Sequence, residues 1–167
     1  PKLNEKVSTN IHDALAKVMK TYKPTTKRDN VSLNVLHAAS AMGNPHVAEI
    51  YSPPRVCSVA NRFGLRPGFS LDLTVLDTDG KPWDFNNESK RKRALKLLKE
   101  QQPALLTEGP MCRAFSLLQG LNKHKMGEAK HDAMLENGQG HLEFVPMLCE
   151  EQAKAGRYYI YEHPAYA

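Results

Sequence analysis

Four short apolar runs alternate with helix-like segments, and this alternation constrains the fold more than any other feature of the chain. The runs are HVAEIYS (46–52), GFSLDLTV (68–75), PALLT (103–107) and RYYIY (157–161). Each is about a strand long and is bounded by Pro, Gly or Asp-Gly turns. Between the first two, residues 56–63 have helical spacing, with Gly64 as the stop. Between the second and third, DTDGKP makes a turn, and Asn86 or Asn87 caps a helix through ESKRKRALKLLKEQQ. A long helical stretch follows Cys112, with a break expected at Asn137-Gly138. It continues from His141 to Ala155 with Leu142, Val145, Leu148 and Cys149 on one face and Gly156 as its stop. Right-handed crossovers between such strands predict an α/β fold: a doubly wound, mostly parallel sheet of the Rossmann kind. Residues 45–167 form this domain, preceded by a partly helical extension over 1–44. There Asn10 caps a helix to Tyr22, a polar linker runs through Lys23 to Arg28, and VSLNVLHAASAM is open between strand and helix.

In doubly wound sheets ligands bind beyond the carboxyl ends of the strands. All four of the distinctive turns fall there: YSPPRV, LDL, EGPMC and YEHP. Cys112 opens the helical segment after a Gly-Pro turn, where a positive helix end favours a thiolate nucleophile; the competing reading is a small buried hydrophobe. Cys57 and Cys149 lie inside helical stripes and read as core. Glu162 ends the last strand, where partial burial suits a general acid; the competing reading is an acidic strand end in water. Asp72 stands where doubly wound folds place an acid for a ribose hydroxyl; the competing reading is a turn-forming aspartate. Trp83, beside Asp84 and Phe85, lines an adenine pocket or fills the core. Asp77 and Asp79 read as turn residues, and His163 as structural.

The net charge of +5 permits an anionic partner. Its concentrations at Lys90–Arg93 and Lys23–Arg28 read first as a solvated helix face and a polar linker. Three widely spaced cysteines, with no CxxC or HxxxH spacing, point to a reducing, intracellular compartment, the nucleus among the possibilities, and away from a zinc site. No apolar run reaches the length of a membrane span. The chain opens on Pro1 rather than Met, which reads as a fragment or a processed product; a fragment would work with other protein chains.

EGPMCRAFS resembles the catalytic loop of cytosine-C5 DNA methyltransferases, a Gly-Pro-Pro-Cys-like turn followed by Phe-Ser. Gly109, Pro110, Cys112, Phe115 and Ser116 match it in type and order, and Met111 stands where the family has a second proline. The series YSPPRV, GLRPGFSLDLT, WDF, GPMCRAFSLLQ and AGRYYIYEHP is similar to methyltransferase-like segments of mobile-element-type polyproteins of unicellular eukaryotes, over His46 to Ala167. The resemblance implies S-adenosylmethionine as cofactor, met by Tyr51, Ser52, Pro53, Asp72, Asp84, Phe85 and Pro110. It implies a nucleic-acid substrate near Arg113 and Ser116, with Cys112 as nucleophile and Glu162 acting on cytosine N3. Pro53-Pro54 replace the family's glycine-rich first loop. The family's target-recognition region follows its Glu motif, whereas this chain ends five residues beyond Glu162, so a truncated catalytic half is expected. The alternative from another class is a non-catalytic binding or assembly module that keeps the methyltransferase fold. A basic RNA-binding scaffold rests on charge alone.

Overall fold

The structure, a computed structural model, describes residues 28–115 and 125–163. The helix expected over Asn10–Tyr22, most of the polar linker after it and the Ser116 position lie outside the described residues. The elements are α1 (Arg28–Met42), β1 (Val47–Ile50), α2 (Val56–Ala60) with a 3-10 turn (Asn61–Phe63), β2 (Pro67–Leu71), α3 (Glu88–Gln101), β3 (Leu105–Glu108), a second 3-10 turn (Arg113–Phe115), α4 (Glu128–Lys154) and β4 (Tyr158–Tyr161). All four strands pair in parallel, in the order β2-β1-β3-β4. This is an α/β, Rossmann-like sheet with flanking helices. No described helix is long and apolar enough to cross a membrane.

The strand order dictates where the helices go. The chain moves one way from β1 to β2, then reverses past β1 to reach β3 and β4. Right-handed crossovers in opposite directions must lie on opposite faces. The core divides accordingly. Val47 faces α2, packing with Cys57 and Ala60. On the other face Ala48, Ile50 and Leu106 pack with Ala94 and Leu98 of α3 and with Phe144 and Leu148 of α4. A period of two along β1 thus serves both faces, which is why all four of its residues are buried.

Local chemistry sets the element ends. Asn87 caps α3 by accepting from the Ser89 N–H at 2.9 Å, and Gln102 ends it in the left-handed region at φ 48°. β2 stops at Leu71, four residues short of the expected end. Asp72 Oδ1 accepts from both the backbone N–H and the hydroxyl of Thr74, at 2.9 and 2.8 Å, and this Asx turn bends the chain away from the sheet. VSLNVLHAASAM is helical, within α1. Ala39 of α1 is buried, and the Asn44 N–H donates to its carbonyl at 2.8 Å. The Arg66 N–H donates to His46 Nδ1 at 3.0 Å, leaving Nε2 to carry the proton it shares with Ser40 Oγ at 2.6 Å. These bonds tie α1 to the amino ends of the strands, opposite the candidate site.

The break expected at Asn137-Gly138 is not there. α4 runs unbroken from Glu128 to Lys154, with Pro146 inside it. Gly138 serves close approach instead: a Cβ at this position would meet Ala114 Cβ at 2.7 Å and Phe115 Cε2 at 2.9 Å. The missing side chain lets the turn after Cys112 lie directly on the helix.

Candidate functional site at the carboxyl ends of the strands

The chain reverses its winding between β1 and β3, so the crevice beyond their carboxyl ends is the topological switch point where ligands enter such sheets. Three loops meet there, following β1, β3 and β4.

The loop after β1 is braced by a residue the sequence reading passed over. Glu49 is 0 % exposed in the middle of β1. Its Oε1 accepts from the Cys57 N–H at 2.7 Å and from Ser70 Oγ at 3.2 Å; its Oε2 accepts from Ser52 Oγ at 3.0 Å and the Arg55 N–H at 3.3 Å. Burial pushes this carboxyl up, but the N–H groups of Cys57 and Val56 and the Ser52 hydroxyl outweigh it and hold it below the ordinary value. The signal was present in HVAEIYS: a carboxylate between two strand residues that must both be buried needs partners of its own. The single Ser52 hydroxyl proton is shared between Glu49 and the Pro53 carbonyl, 2.9 Å away, so the segment through the two prolines is pinned without glycines.

Tyr51 carries positive φ, at 62°, a strained state for a residue with a side chain. Its ring packs on Phe85 with centroids 4.8 Å apart, and its hydroxyl is hydrogen-bonded to His141 Nδ1 of α4 at 3.0 Å. Burial pushes the Tyr51 phenol well above its ordinary value. Burial, followed by the positive charge of Arg91, pulls the His141 imidazole down.

Glu108 closes β3 and is the second residue missed. It is 4 % exposed, and burial pushes its carboxyl up to about 8. Cys149 Sγ donates to its Oε1 at 3.7 Å; among the described residues its Oε2 has no hydrogen-bond partner, and neither has His141 Nε2. Burial also raises the Cys149 thiol, and burial pushes the Tyr161 phenol up to about 12, with Cys149 and Glu108 adding to it. Buried Glu108, His141 and Cys149, with half-buried Tyr51 and Tyr161, thus form one titratable cluster at this end of the sheet. No period or motif marks Glu108 in the sequence, because its burial comes from α4.

Beyond Glu108, Gly109 is exposed, with open space where a Cβ would be. Pro110 is buried, Met111 and Arg113 are exposed, and Cys112 is half-buried. Of the long helix expected after Cys112, residues 125–126 and Glu128–Lys154 are helical, and residues 116–124 lie outside the described residues. The backbone after Cys112 is a three-residue turn, in which the Phe115 N–H donates to the Cys112 carbonyl at 3.0 Å.

Glu162 lies one residue past β4. Its N–H donates to the Glu108 carbonyl at 2.9 Å while the residue itself is exposed. His163 joins the loops, with its ring 6.0 Å from that of Phe115. The Cys112 and Glu162 segments therefore share one end of the sheet and touch through Phe115 and His163. Asp72 follows β2 at the same end and is engaged in its Asx turn. Asp84 Oδ1 accepts from the Asn86 N–H at 3.0 Å. Phe85 is 2 % exposed, packed between Tyr51, Trp83 and Phe144 in the core.

The basic run is not the solvated face expected. Lys90 is buried and donates to Asp77 Oδ2 at 2.6 Å and Asp79 Oδ1 at 2.8 Å, and Arg93 pairs with Asp77 at 3.2 Å. Lys90 and Arg93 also lie over the buried Trp83 ring, 5.2 and 5.9 Å from its centre. Burial pushes the Asp77 carboxyl up, but the Lys90 hydrogen bond, the Thr78 N–H and the neighbouring cations hold it below its ordinary value. Asp77 and Asp79 are thus turn residues and ion-pair partners at once, and Trp83 fills the core. Lys92, paired with Glu88, keeps the solvated character expected of the run. Helical periodicity places Lys90 and Arg93 on one side of α3, but only the folding back of residues 77–83 puts acids and an indole there. Among the described residues, no group of three or more His, Cys, Asp or Glu is placed to hold a metal ion. Comparison of the chain with protein-family models, with curated proteins and with solved structures finds no match.

Proposed function

We propose that this chain is an S-adenosylmethionine-dependent methyltransferase-like domain of the cytosine-C5 type, acting on nucleic acid. The observation that carries the reading is the meeting of the Cys112 and Glu162 loops at the switch-point end of the sheet, joined through Phe115 and His163. A nucleophile and an acid serving one base must come from neighbouring loops. The open space at Gly109, the acid at Asp72 after β2 and the pinned Tyr51–Pro53 loop are compatible with a cofactor lying across the strand ends.

In this reading the Cys112 thiolate bonds to C6 of a cytosine turned out of its helix. Glu162 holds the proton at N3 while the electrons of the 5,6 double bond move to C5. The cofactor, when bound, supplies an electrophilic methyl group. Loss of the C5 proton then restores the double bond and expels Cys112.

A second reading, a non-catalytic module that keeps the fold, has its own support. The loop after β1 has Pro53-Pro54 in place of glycines and is tied down by Glu49, and Phe85 is withdrawn into the core. Two measurements separate the readings. The enzyme predicts calorimetric binding of S-adenosylmethionine and a covalent adduct with DNA containing 5-fluorocytosine, lost in Cys112→Ser. No binding at millimolar cofactor, or equal trapping by both proteins, favours the module.

A further inference from the structure

Most cations of α3 are engaged within the molecule. Lys90 pairs with Asp77 and Asp79, Arg93 with Asp77, Lys92 with Glu88, Lys96 with Glu100 and Lys99 with Glu151. The arginines of α2 and the turn after it differ. Residues 50–71 hold Arg55, Arg62 and Arg66 and no Asp or Glu. The acid before them, Glu49, is buried and bonded to its own donors, and the acid after them, Asp72, is engaged in its Asx turn. Arg66 donates to the Asn44 carbonyl at 3.1 Å; among the described residues none of the three arginines forms an ion pair. Arg55 and Arg62 are exposed and about two helical turns apart, which sets them in one row. Phe63, beside Arg62, is 75 % exposed, and among the described residues no other ring packs on it. α2 returns the chain from the carboxyl end of β1 to the amino end of β2, so the row starts at the crevice rim and runs down the outside of the sheet.

We propose that this outer face of α2 is a docking track for single-stranded nucleic acid, separate from the crevice: Arg55 and Arg62 hold backbone phosphates, and Phe63 stacks on an unpaired base. Unpaired cations call for an anion, and the guanidinium fork suits phosphate oxygens. The exposed ring decides the kind of anion. An aromatic face takes a base of any sequence, provided that base is unpaired. A stable protein interface covers about 800 Å² per partner around an apolar core. Here only Val56, 41 % exposed, adds large apolar surface beside Phe63. Helices that lie on membranes present a broad apolar face, which five-residue α2 with one exposed ring does not have. The track stands on these residues and not on the cofactor reading above.

Fluorescence anisotropy with a labelled oligothymidine, longer than the ~4–16 nucleotides that a single-strand site covers, tests it without added cofactor. Wild type is expected to bind, with log affinity falling linearly against log salt. Arg55→Gln/Arg62→Gln removes two phosphate contacts, and that slope is expected to shrink by about 1.4. Phe63→Ala is expected to lose about tenfold in affinity at unchanged slope. Lys92→Gln/Lys96→Gln, which removes the same charge from exposed pairs on α3, is expected to keep the wild-type slope. All five side chains are exposed, so each variant should unfold in urea as wild type does. An unchanged slope in the arginine variant, an equal loss in the lysine variant, or unchanged affinity in Phe63→Ala overturns the track. So does failure of wild type to bind the oligonucleotide; binding to phosphatidylserine vesicles or to an acidic peptide in its place would assign the face to that partner. Each of these outcomes leaves the cofactor reading standing.

Discussion

Replacing Glu108 with Gln should make the protein more stable at neutral pH, and the gain should vanish in acid. In the folded chain burial pushes the Glu108 carboxyl up to about 8, against 4.5 for the free group. Below about pH 4.5 both states hold the proton, and the stability this residue contributes is fully present. As pH rises toward 8, the unfolded chain ionises while the folded chain does not, so that stability is lost. The loss is about 1.4 kcal/mol per pH unit, or about 3 kcal/mol between pH 4.5 and 7. Gln does not titrate. Its amide leaves a buried N–H group without a strong acceptor, a constant cost of about 1–3 kcal/mol. The decisive quantity is therefore the slope of the difference between the two proteins, not its size at any one pH. Urea unfolding of both at pH 5, 6 and 7 measures it. The variant should gain on wild type by more than 1 kcal/mol per unit. A difference that stays flat across this range would refute a neutral buried Glu108.

Two further substitutions test the packing around the site. Gly138→Ala gains about 1 kcal/mol of helix propensity but drives a methyl into Ala114 and Phe115, an overpacking cost of about 1–3 kcal/mol. It should be neutral to destabilising in denaturant and should speed the reaction of Cys112 with a thiol reagent. Gly140→Ala meets only the flexible end of Arg91, at 3.1 Å, and should be neutral to stabilising by up to about 1 kcal/mol; equal behaviour of the two would show that Gly138 does not govern the turn. Glu49→Ala removes the acceptor of several buried donors and should cost about 3 kcal/mol, measured by urea unfolding at pH 7. Because the Glu49 carboxyl is held below its ordinary value, its contribution is present above about pH 4.5 and lost as pH falls further, so the difference between Glu49→Ala and wild type should shrink in acid.

The α/β class, the four strands and the capping of α3 by an asparagine at 86 or 87 were legible in the residues alone. Each follows from local rules: apolar runs of strand length, helical spacing, and side chains that bond to their own backbone. The placing of YSPPRV, LDL, EGPMC and YEHP at the carboxyl ends of strands followed from the same alternation. Tertiary structure decided the charge state of the site. Glu49 and Glu108 are both acids in apolar strands, and sequence spacing does not distinguish them. The N–H groups of α2 reach one and hold it ionised, while the apolar side of α4 covers the other and keeps it neutral. Lys90 likewise reads as a surface charge until the turn at residues 77–83 closes over it, and Gly138 as a helix break until the Cys112 turn is seen lying against it. Burial and partner choice depend on which distant segment arrives, and that is settled by long-range packing rather than by neighbours along the chain.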